Sequence, residues 1–420
     1  MHSHAMPDHD THSVLSGAAI QQRFSALDQF LTEHQALWRP RPFVHHPNLP
    51  WESRHPELGH WLRQQSLEHA EAAHNQPHLL RGAPDPFTQL AAHAARLSQI
   101  GAHPHTAAMA YPARLSNGVP GRKWQQIDAF SRSLSFAHAP THWLDWCSGK
   151  GHLGRLLARE GARLTCLEHD AQLVASGQQL SDKLAIHAQH IQQDVLASNA
   201  ASRLSAEHTP VALHACGELH TRLLQLASES RCQQLAVAPC CYNRISTPLY
   251  QALSQPAQQS ALVLDIDDLG LPLSETVTAG ARVRRQRDQS MAWRLGFDLL
   301  QRKIRGKNEY LSTPSLPLSY LDKSFEDFCK SLAQLKNLPP LSQQNWPELE
   351  RLGWQRLAEV RNLELVRNLF RRPLELWLLL DRALYLSEQG YGVKLGTFCS
   401  YTESPRNLLM IAERHNNHAH

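Results

Sequence analysis

The sequence has no apolar run long enough to cross a bilayer. A membrane-spanning helix needs about 18 largely apolar residues in succession. The best candidate, Leu374 to Leu380, is short and contains Glu375. The N-terminal residues MHSHAMPDHDTHS also lack the apolar centre of a secretion signal. We therefore expect a cytoplasmic protein that does not contact a membrane.

The sequence also lacks any C-x-x-C pair. Its eight cysteines are scattered, at positions 147, 166, 216, 232, 240, 241, 329 and 399. In a long chain without a secretion signal, this pattern indicates reduced thiols and not a disulfide framework. His138 and His142 have His-x-x-x-His spacing, but they span a loop entering a strand, so the spacing has no helical meaning. We expect no metal site.

A strong charge imbalance is absent as well. The formal net charge is +4 over 420 residues, which by itself does not indicate a nucleic-acid partner. Hydrophobic residues make up 42% of the chain, enough for a sizeable core, so global disorder is excluded. The length allows two or three domains, or one large domain with insertions.

Alternating strand-like and helical patterns begin after the turn cluster Asn117–Gly121. The predicted strands are 142–146, 163–167, 187–191, 211–214 and 235–238, with helices at 152–160, 171–185 and 219–229 between them. A helix at 374–388 and two further strands, 393–398 and 408–412, follow. Such alternation predicts an α/β fold: a Rossmann-like parallel sheet, covered on both faces and closed by a terminal β-hairpin.

The composition also predicts how the rest of the chain is organised. We expect a disordered tail at 1–20, a helical N-terminal region at 21–116, the α/β domain at 117–242 and 373–420, and a basic, mostly helical insertion at 243–372. The run Phe87–Gln99 has the three- and four-residue apolar spacing of an amphipathic helix.

A glycine-containing turn, Asp145–Gly154, joins the first strand of this domain to its helix. Gly149 and Gly151 permit positive φ angles and a close approach of the backbone to a ligand, and the helix start behind them offers free N–H groups. Glu168 stands 17 residues after Gly151, at the end of the second strand. An acid at that place can accept hydrogen bonds from both ribose hydroxyls of an adenosine.

The same geometry also serves NAD, but two details favour S-adenosylmethionine. The first is Cys147 at the start of the turn, although Gly149, Gly151 and Gly154 do have G-x-G-x-x-G spacing. In addition, Asp145 lies two residues earlier, where methyltransferases place an acid near the methionine part of the cofactor. Asp194, after the third strand, is placed to contact the adenine amino group, or it is a helix N-cap or a solvated acid. The residues predicted to bind the cofactor are Asp145, Cys147, Ser148, Gly149, Gly151, His152, Leu153, Glu168, His169, Asp194, Val195, His214, Ala215 and Cys216.

Two later strands end in His-Ala-Cys-Gly-Glu (214–218) and Pro-Cys-Cys-Tyr (239–242). Sheets of this kind bind ligands outside the carboxyl ends of their strands, so these thiols and Cys147 converge on one edge. The thiols fill space beside the cofactor, or Tyr242 stacks on a substrate ring, or a cysteine is a nucleophile. Metal binding is a fourth alternative, which we do not adopt. The catalytic candidates are His214, Cys240, Cys241 and Tyr242.

These motifs, in this order, resemble one methyltransferase-domain family. It includes the eukaryotic methyltransferase-like proteins with a Cys-Cys-Tyr step and the glutathione S-transferase C-terminal-domain-containing protein. More distantly, the motifs are similar to those of tRNA ribose methyltransferases of the Trm-thirteen type. The resemblance covers roughly 121–242 and 373–420, with pieces at 270–274 and 404–408. It implies a class I methyltransferase sheet with S-adenosylmethionine as cofactor, and it leaves the substrate open.

The segment from Ala281 to Lys307 carries nine basic residues against two acids, with Trp293 and Phe297 among them. A basic segment with aromatics suggests a grip on a phosphate backbone, so we expect RNA as the substrate. The alternative is a solvated helix face whose aromatics pack inward. The residues predicted to bind substrate are Lys123, Arg284, Arg285 and Arg287.

Two rival functions stay open: a methyltransferase acting on a protein or small molecule, and a non-enzymatic scaffold that binds the cofactor or RNA. The fourth strand lacks an Asp/Asn-Pro-Pro-Tyr step, which argues against methylation of base amino groups.

Overall fold

The computed structural model describes residues 13–108, 111–274, 280–341 and 343–415. The chain forms two compact units. Unit 1 comprises Met1–Gln29, Leu97–Leu273 and Leu374–His420, and unit 2 comprises Phe30–Arg96 and Ser274–Pro373. Within the described ranges, no helix combines the length and the apolar character needed to cross a membrane.

Unit 1 is built on one eight-stranded sheet with the order β1-β7-β8-β6-β5-β2-β3-β4. Strands β2 to β6 are parallel to one another, β8 runs antiparallel between β6 and β7, and β1 pairs antiparallel with β7. The strands are β1 (Leu15–Ser16), β2 (His142–Trp146), β3 (Arg163–Glu168), β4 (Ala188–Gln192), β5 (Thr209–Cys216), β6 (Gln234–Cys240), β7 (Tyr391–Thr397) and β8 (Leu408–Arg414).

Fourteen α-helices accompany the sheet within the described residues. They are α1 (Ala18–Glu33), α2 (Gln35–Trp38), α3 (Pro56–Arg63), α4 (Leu67–Ala73), α5 (Phe87–Ser98), α6 (Gly121–Ser133), α7 (His152–Leu157), α8 (Ala171–Lys183), α9 (Glu218–Glu229), α10 (Gln255–Gln258), α11 (Ala281–Arg305), α12 (Phe325–Leu335), α13 (Trp346–Asn368) and α14 (Arg371–Glu388).

The central strands are mostly buried because both faces of the sheet are covered. In β6 every residue is buried, and β2 and β3 are buried except near their ends. Near-continuous apolar strands are typical of parallel sheets covered on both faces. A core that includes Phe130 of α6, Leu156 of α7, Cys166 of β3 and Phe398 packs on one side of this sheet. This packing fixes α6 and α7 against the sheet.

Unit 2 is held by a close crossing of α11 and α13. A Cβ atom on Gly353 would lie 2.4 Å from the carbonyl oxygen of Ala292, and one on Gly296 would lie 3.0 Å from that of Leu349. Only glycine permits such an approach. In the same helix pair, buried Asp298 accepts hydrogen bonds from Arg302 (2.9 Å) and Arg356 (2.6 Å).

The structure confirms the expected α/β fold with a Rossmann-like methyltransferase sheet and a terminal hairpin, β7–β8. β2 has the predicted bounds, and the other predicted strands agree to within a few residues. The sequence did not indicate β1, so residues 13–20 are not the disordered tail we expected; residues 1–12 of that tail lie outside the described ranges.

The units also divide the chain differently from the predicted domains. Segment 243–273, expected to belong to the insertion, is part of unit 1. The reason lies in α14, whose Asp381 accepts hydrogen bonds from the backbone N–H groups of Leu253 and Ser254 and from the hydroxyl of Tyr250. Unit 2 instead joins 274–373 to most of the N-terminal helical region.

Candidate functional site

The candidate site lies where the strand order of the sheet reverses. β2 pairs with β3 on one side and with β5 on the other, and the chain order runs outward in both directions from this point. In open parallel sheets, ligands bind in the crevice outside the carboxyl ends of the strands at such a switch point. The predicted cofactor loop begins at the end of β2, on this crevice.

The loop bends through three residues with left-handed backbone: Cys147 (φ 55°), Gly149 (φ 57°) and Gly151 (φ 71°). Its main chain is fixed by Ser148, whose N–H donates to Leu167 of β3 at 3.0 Å and whose carbonyl accepts from Gly151 at 2.8 Å. The two glycines differ in their surroundings. A Cβ on Gly151 would meet His190 at 2.6 Å, whereas one on Gly149 would meet nothing within 4 Å. Gly149 therefore faces open space.

Glu168 connects the end of β3 to this loop. Its Oε2 accepts from the N–H of Gly149 at 2.9 Å, and its Oε1 accepts from the N–H of Asp170 at 3.0 Å. The side chain is half-buried. Since each carboxylate oxygen has two lone pairs, both oxygens can still accept from a ligand.

Asp145 is 3% exposed and lies beneath the loop. Its Oδ2 accepts from the N–H of Gly154 in the first turn of α7 at 2.9 Å, so it satisfies one of the helix's unpaired donors. Burial raises the pKa of Asp145 to about 7, although the Gly154 N–H and the charge of Arg155 act in the opposite direction. The structure thus shows a helix-capping contact for Asp145.

Two basic residues surround the loop. Arg155 is buried and donates to the carbonyl of Lys150 at 2.5 Å and to Nδ1 of His152 at 3.0 Å. Lys123, on α6, is exposed and close enough for its charge to act on Asp145, His152 and His214. Burial, together with these charges, lowers the pKa of His152 to about 4, so its ring is neutral at neutral pH.

The other residues predicted to bind the cofactor fall into exposed and buried sets. Asp194 is exposed after β4, and its Oδ1 accepts from the N–H of Leu196 at 3.0 Å. His169 is exposed at the end of β3. The side chains of Val195, Leu153 and Ala215 are buried, and that of Leu153 belongs to the core of unit 1.

His214 sits at an irregular point of β5, where its φ is 65° and the register with β6 shifts. Its Nε2 donates to Oε1 of Gln126 on α6 at 2.6 Å, and Gln126 in turn donates to the carbonyl of Glu403 at 3.2 Å. Burial, then the charges of Lys123 and Arg406, lowers the pKa of His214 to about 4. The sequence did not single out Gln126; Arg406 lay in the Ser-Pro-Arg-Asn-Leu motif without an assigned role.

Three thiols meet at the ends of β5 and β6. The sulfur atoms of Cys216, Cys240 and Cys241 all lie within 4.8 Å of one another, and those of Cys216 and Cys240 are 3.6 Å apart. Hydrogen bonds from Cys240 and Cys241, together with the charge of Arg244, lower the pKa of Cys216 to about 6, against the effect of burial. The hydrogen bond to Cys216 and burial raise the pKa of Cys240. Cys147 differs: burial, then the charge of Glu168, raises its pKa to about 12.

Tyr242 does not have the position that stacking on a substrate requires. Its side chain is 1% exposed, and Arg382 lies over its ring at 5.3 Å while His220 contacts the ring edge-on. The ring of Tyr242 therefore has no face open to a substrate in this structure, and its assignment as a stacking or catalytic group stays a prediction. The sequence could not indicate this, since Arg382 is 140 positions away along the chain.

The predicted substrate-binding arginines belong to unit 2. Arg284 and Arg285 are exposed on the first turns of α11, and Arg287 is half-buried. Arg284 and Arg287 line a cavity of about 400 Å³ together with Arg361 and His74. The two aromatics point the other way: Trp293 and Phe297 are 4% and 1% exposed and pack in the core against α12. The expectation that they face a nucleic acid is wrong.

The part of the chain that holds the site is similar to a known protein family. Residues 122–248 match the model of a family described as "Methyltransferase domain". The matched segment runs from α6 past the end of β6 and contains the glycine loop, Glu168 and the three thiols.

Several solved structures have some likeness to this chain. They include coclaurine N-methyltransferase (12% identity, TM-score 0.23, 52% of this chain and 57% of that one). The plantazolicin methyltransferase BamL has 17% identity and a TM-score of 0.22, over 43% and 59% of the two chains. TehB from Haemophilus influenzae has 17% identity and a TM-score of 0.21, over 27% and 44%. The chain covers less than two thirds of each of these proteins, and TM-scores this low carry no argument about function.

Proposed function

We propose that the protein is an S-adenosylmethionine-dependent methyltransferase whose cofactor binds at the switch point between β2 and β5. The observation that carries the proposal is the pairing of Gly149 with Glu168. Gly149 faces open space, and its N–H donates a hydrogen bond to the carboxylate of Glu168 at the end of β3. Both lie in the segment that matches a methyltransferase domain.

The residues present fit this cofactor. A side chain at Gly149 would fill the open space beside the loop, so glycine keeps room for a ligand against the backbone. Glu168 would hold the ribose hydroxyls while it keeps its hydrogen bonds to the loop. Asp194, exposed at the end of β4, would bind the adenine amino group. When bound, S-adenosylmethionine supplies a methyl group already activated on a sulfonium, so the protein's task is mainly to position the acceptor and exclude water.

His214 is the candidate base for an acceptor that must lose a proton. Because its Nε2–H donates to Gln126, its Nδ1 carries the lone pair. With a pKa of about 4 the ring is neutral at neutral pH and can take a proton at Nδ1. Gln126 fixes the orientation of the ring through that hydrogen bond.

RNA is our proposed substrate class, in keeping with the resemblance to tRNA ribose methyltransferases. What supports it is the exposed basic start of α11, with Arg282, Arg284 and Arg285. A cavity of about 400 Å³ in unit 2 also has three arginines in its lining, together with Glu68 and Glu71. Arginine binds phosphate groups in a bidentate manner, which favours a phosphate backbone as the ligand. We propose that the activity is cytoplasmic, where free thiols stay reduced.

A methyl-transfer assay tests both the proposed methyltransferase activity and the proposed RNA substrate. The protein would be incubated with radiolabelled S-adenosylmethionine and a lysate from cells that lack the gene, and the products would be digested with RNase or with protease. We expect label that RNase removes, and no label with Glu168→Ala. Glu160→Ala, which removes an exposed acid just after α7, is the matched control.

The outcomes separate the alternatives. Label removed by protease would replace RNA with a protein acceptor, and label in neither fraction but in small molecules would point to a small-molecule substrate. Binding of the cofactor without any transfer would leave a scaffold. Equal label with wild type and Glu168→Ala would contradict the proposed cofactor site.

A further inference from the structure

The three thiols at the ends of β5 and β6 form the only group of three cysteines in the described part of the chain whose sulfurs lie within 4.8 Å of one another. Cys240 is buried, and Cys216 and Cys241 are half-buried at the mouth of the site. Filling space beside a ligand requires small side chains, but it does not require three sulfur atoms to converge on one point.

The backbone bends between Cys240 and Cys241 so that both side chains lie on the same side. Successive side chains on a strand point to opposite faces of the sheet, so Cys240 and Cys241 would diverge if β6 continued. Instead β6 ends at Cys240, and Cys241 has a left-handed φ of 50°. Cys216 is the register partner of Cys240 on β5, after a shift in the pairing between Leu213 and Cys216.

Gly217, the residue after Cys216, brings the ends of β5 and β6 close together. Its N–H donates to the carbonyl of Cys240 at 3.2 Å, and a Cβ there would lie 2.0 Å from the carbonyl oxygen of Arg244. Arg244 N–H donates to the carbonyl of Cys241 at 3.0 Å. Glycine is therefore required after Cys216 for the two strand ends to approach. The strained residue is Cys241, a non-glycine with a left-handed φ, and strained backbone of that kind clusters at functional sites.

We propose that Cys216, Cys240 and Cys241 form a three-thiolate site for a soft divalent metal ion, with zinc as the natural occupant. Zinc–sulfur bonds of about 2.3 Å in tetrahedral geometry place neighbouring sulfurs about 3.8 Å apart. The observed spacing, 3.6 Å between Cys216 and Cys240 and at most 4.8 Å for any pair, reaches this value with small side-chain adjustments. Our expectation from sequence was that the chain holds no metal.

Charge also suits such a site. Three thiolates and one zinc ion leave a net charge of −1, and the positive charge of Arg244 acts on Cys216. Among the described residues, no histidine, aspartate or glutamate completes the group, so the fourth position of the metal is open. Three protein ligands and an open position are typical of catalytic zinc, whereas structural zinc has four protein ligands.

The open position has a consequence that rests on the proposed function. Cys216 ends β5 and Cys147 follows β2, and because these two strands are paired and parallel, both thiols lie at the same edge of the sheet. The metal would thus lie beside the proposed methyl donor, where it would bind the acceptor atom and favour its deprotonated form.

Metal content tests the proposal. The full-length protein would be purified under reducing conditions from zinc-supplied cells and analysed by inductively coupled plasma mass spectrometry. We expect about one zinc per chain in the wild type, and a loss of about tenfold or more in Cys216→Ser and Cys240→Ser. Cys329→Ser, which alters a buried cysteine of unit 2, is the matched control and should keep its zinc.

A second measurement covers variants that fold poorly. Cobalt added to the metal-free wild type should give a thiolate-to-cobalt charge-transfer band, and this band should be absent in Cys241→Ser with an unchanged circular dichroism spectrum. Zinc retained by Cys216→Ser would overturn the proposal, because it would be bound elsewhere, for instance by terminal histidines such as His4 and His418. A Cys216–Cys240 disulfide in wild type prepared without reductant, with no zinc, would replace the proposal with a redox pair.

Calorimetry with S-adenosylmethionine on the same samples keeps the two proposals apart. Zinc without cofactor binding would retain the metal site and reject the methyltransferase function. If the wild type binds the cofactor but lacks zinc, the methyltransferase function is retained and the metal site is rejected.

Discussion

Two buried aspartates show how differently the units of this chain treat a charge. Asp298 of unit 2 is 2% exposed and accepts hydrogen bonds from two buried arginines, Arg302 and Arg356. Asp145 of unit 1 is 3% exposed and accepts from one backbone N–H, that of Gly154, and its pKa is raised to about 7. Unit 2 neutralises its buried carboxylate fully, whereas unit 1 keeps an incompletely compensated acid beneath the glycine loop. Perturbed acids of this kind are concentrated at functional sites.

The same contrast holds for glycine. In unit 2, Gly353 brings two helix backbones together, with no room for a methyl group. In unit 1, Gly149 has no atom within 4 Å of where its Cβ would be. One glycine is used for packing and the other for space. The two comparisons show that Asp145 and Gly149, at the proposed cofactor site, leave a charge incompletely compensated and a volume unfilled, whereas Asp298 and Gly353 do neither.

The largest loss of stability should come from removing the carboxylate of Asp298. Asp298→Ala leaves two buried guanidinium groups without their carboxylate, so we expect unit 2 to lose about 3–5 kcal/mol of stability. Hydrogen exchange measured by mass spectrometry should show faster exchange in α11 and α13 with β2 unchanged. Glu309→Ala, at an exposed acid near the same helix end, should leave both regions as in the wild type. If exchange in α11 of Asp298→Ala is as slow as in the wild type, the contacts of Asp298 with Arg302 and Arg356 do not stabilise unit 2.

Removing the charge of Asp145 should have the opposite effect and stabilise the protein. A carboxyl group whose folded pKa is raised contributes stability that is present at low pH and is lost as the pH rises toward the folded value, here about 7. Asp145→Asn keeps an acceptor for the Gly154 N–H without the charge. We expect it to gain a few kcal/mol relative to wild type at about pH 8 and little at about pH 4.

Urea unfolding at the two pH values measures this difference. A variant that is less stable than wild type at the higher pH would mean that the Asp145 charge is well compensated, and the contrast between the two aspartates would fail. A gain in stability together with weaker cofactor binding would sharpen the contrast, since sites commonly sacrifice stability for function.

The glycine contrast predicts a smaller effect. Gly353→Ala places a methyl group 2.4 Å from a carbonyl oxygen, so we expect a loss of about 1–3 kcal/mol in unit 2 with cofactor affinity unchanged. Gly149→Ala meets no atom and costs only its left-handed conformation, about 1 kcal/mol. Thermal unfolding of the two variants, compared under one set of conditions, should rank Gly353→Ala as the less stable. The reverse ranking would contradict the packing role of Gly353.

The smallest effect concerns the orientation of His214. Gln126→Ala removes the acceptor of its Nε2–H, so we expect turnover to fall about tenfold without a change in cofactor affinity. Gln125→Ala, at the exposed neighbouring position, is the control and should retain full turnover. Weaker cofactor binding in Gln126→Ala would assign Gln126 to the cofactor site and not to the positioning of His214.

The sequence predicted the local parts of the fold and site well, because local patterns encode them. The strand at His142–Trp146 and the loop after it follow from an apolar run and a glycine turn. The division of the chain did not follow, since it depends on contacts such as Asp381 with Ser254, 127 positions apart. The aromatics of α11 were misjudged for a related reason. Charge and ring content do not tell which side of a helix faces a core, and α12 covers the side that holds Trp293 and Phe297.

Calorimetric titration with S-adenosylhomocysteine, which cannot be turned over, tests the central claim most directly. It compares wild type with Gly149→Val and with Gly390→Val, a substitution at a second left-handed glycine that also has open space around it and lies far from the loop in sequence. We predict one binding site in wild type and in Gly390→Val, and no measurable heat with Gly149→Val, because the side chain occupies the space proposed for the ligand. Equal binding by all three folded proteins, or no binding by wild type, would contradict the account.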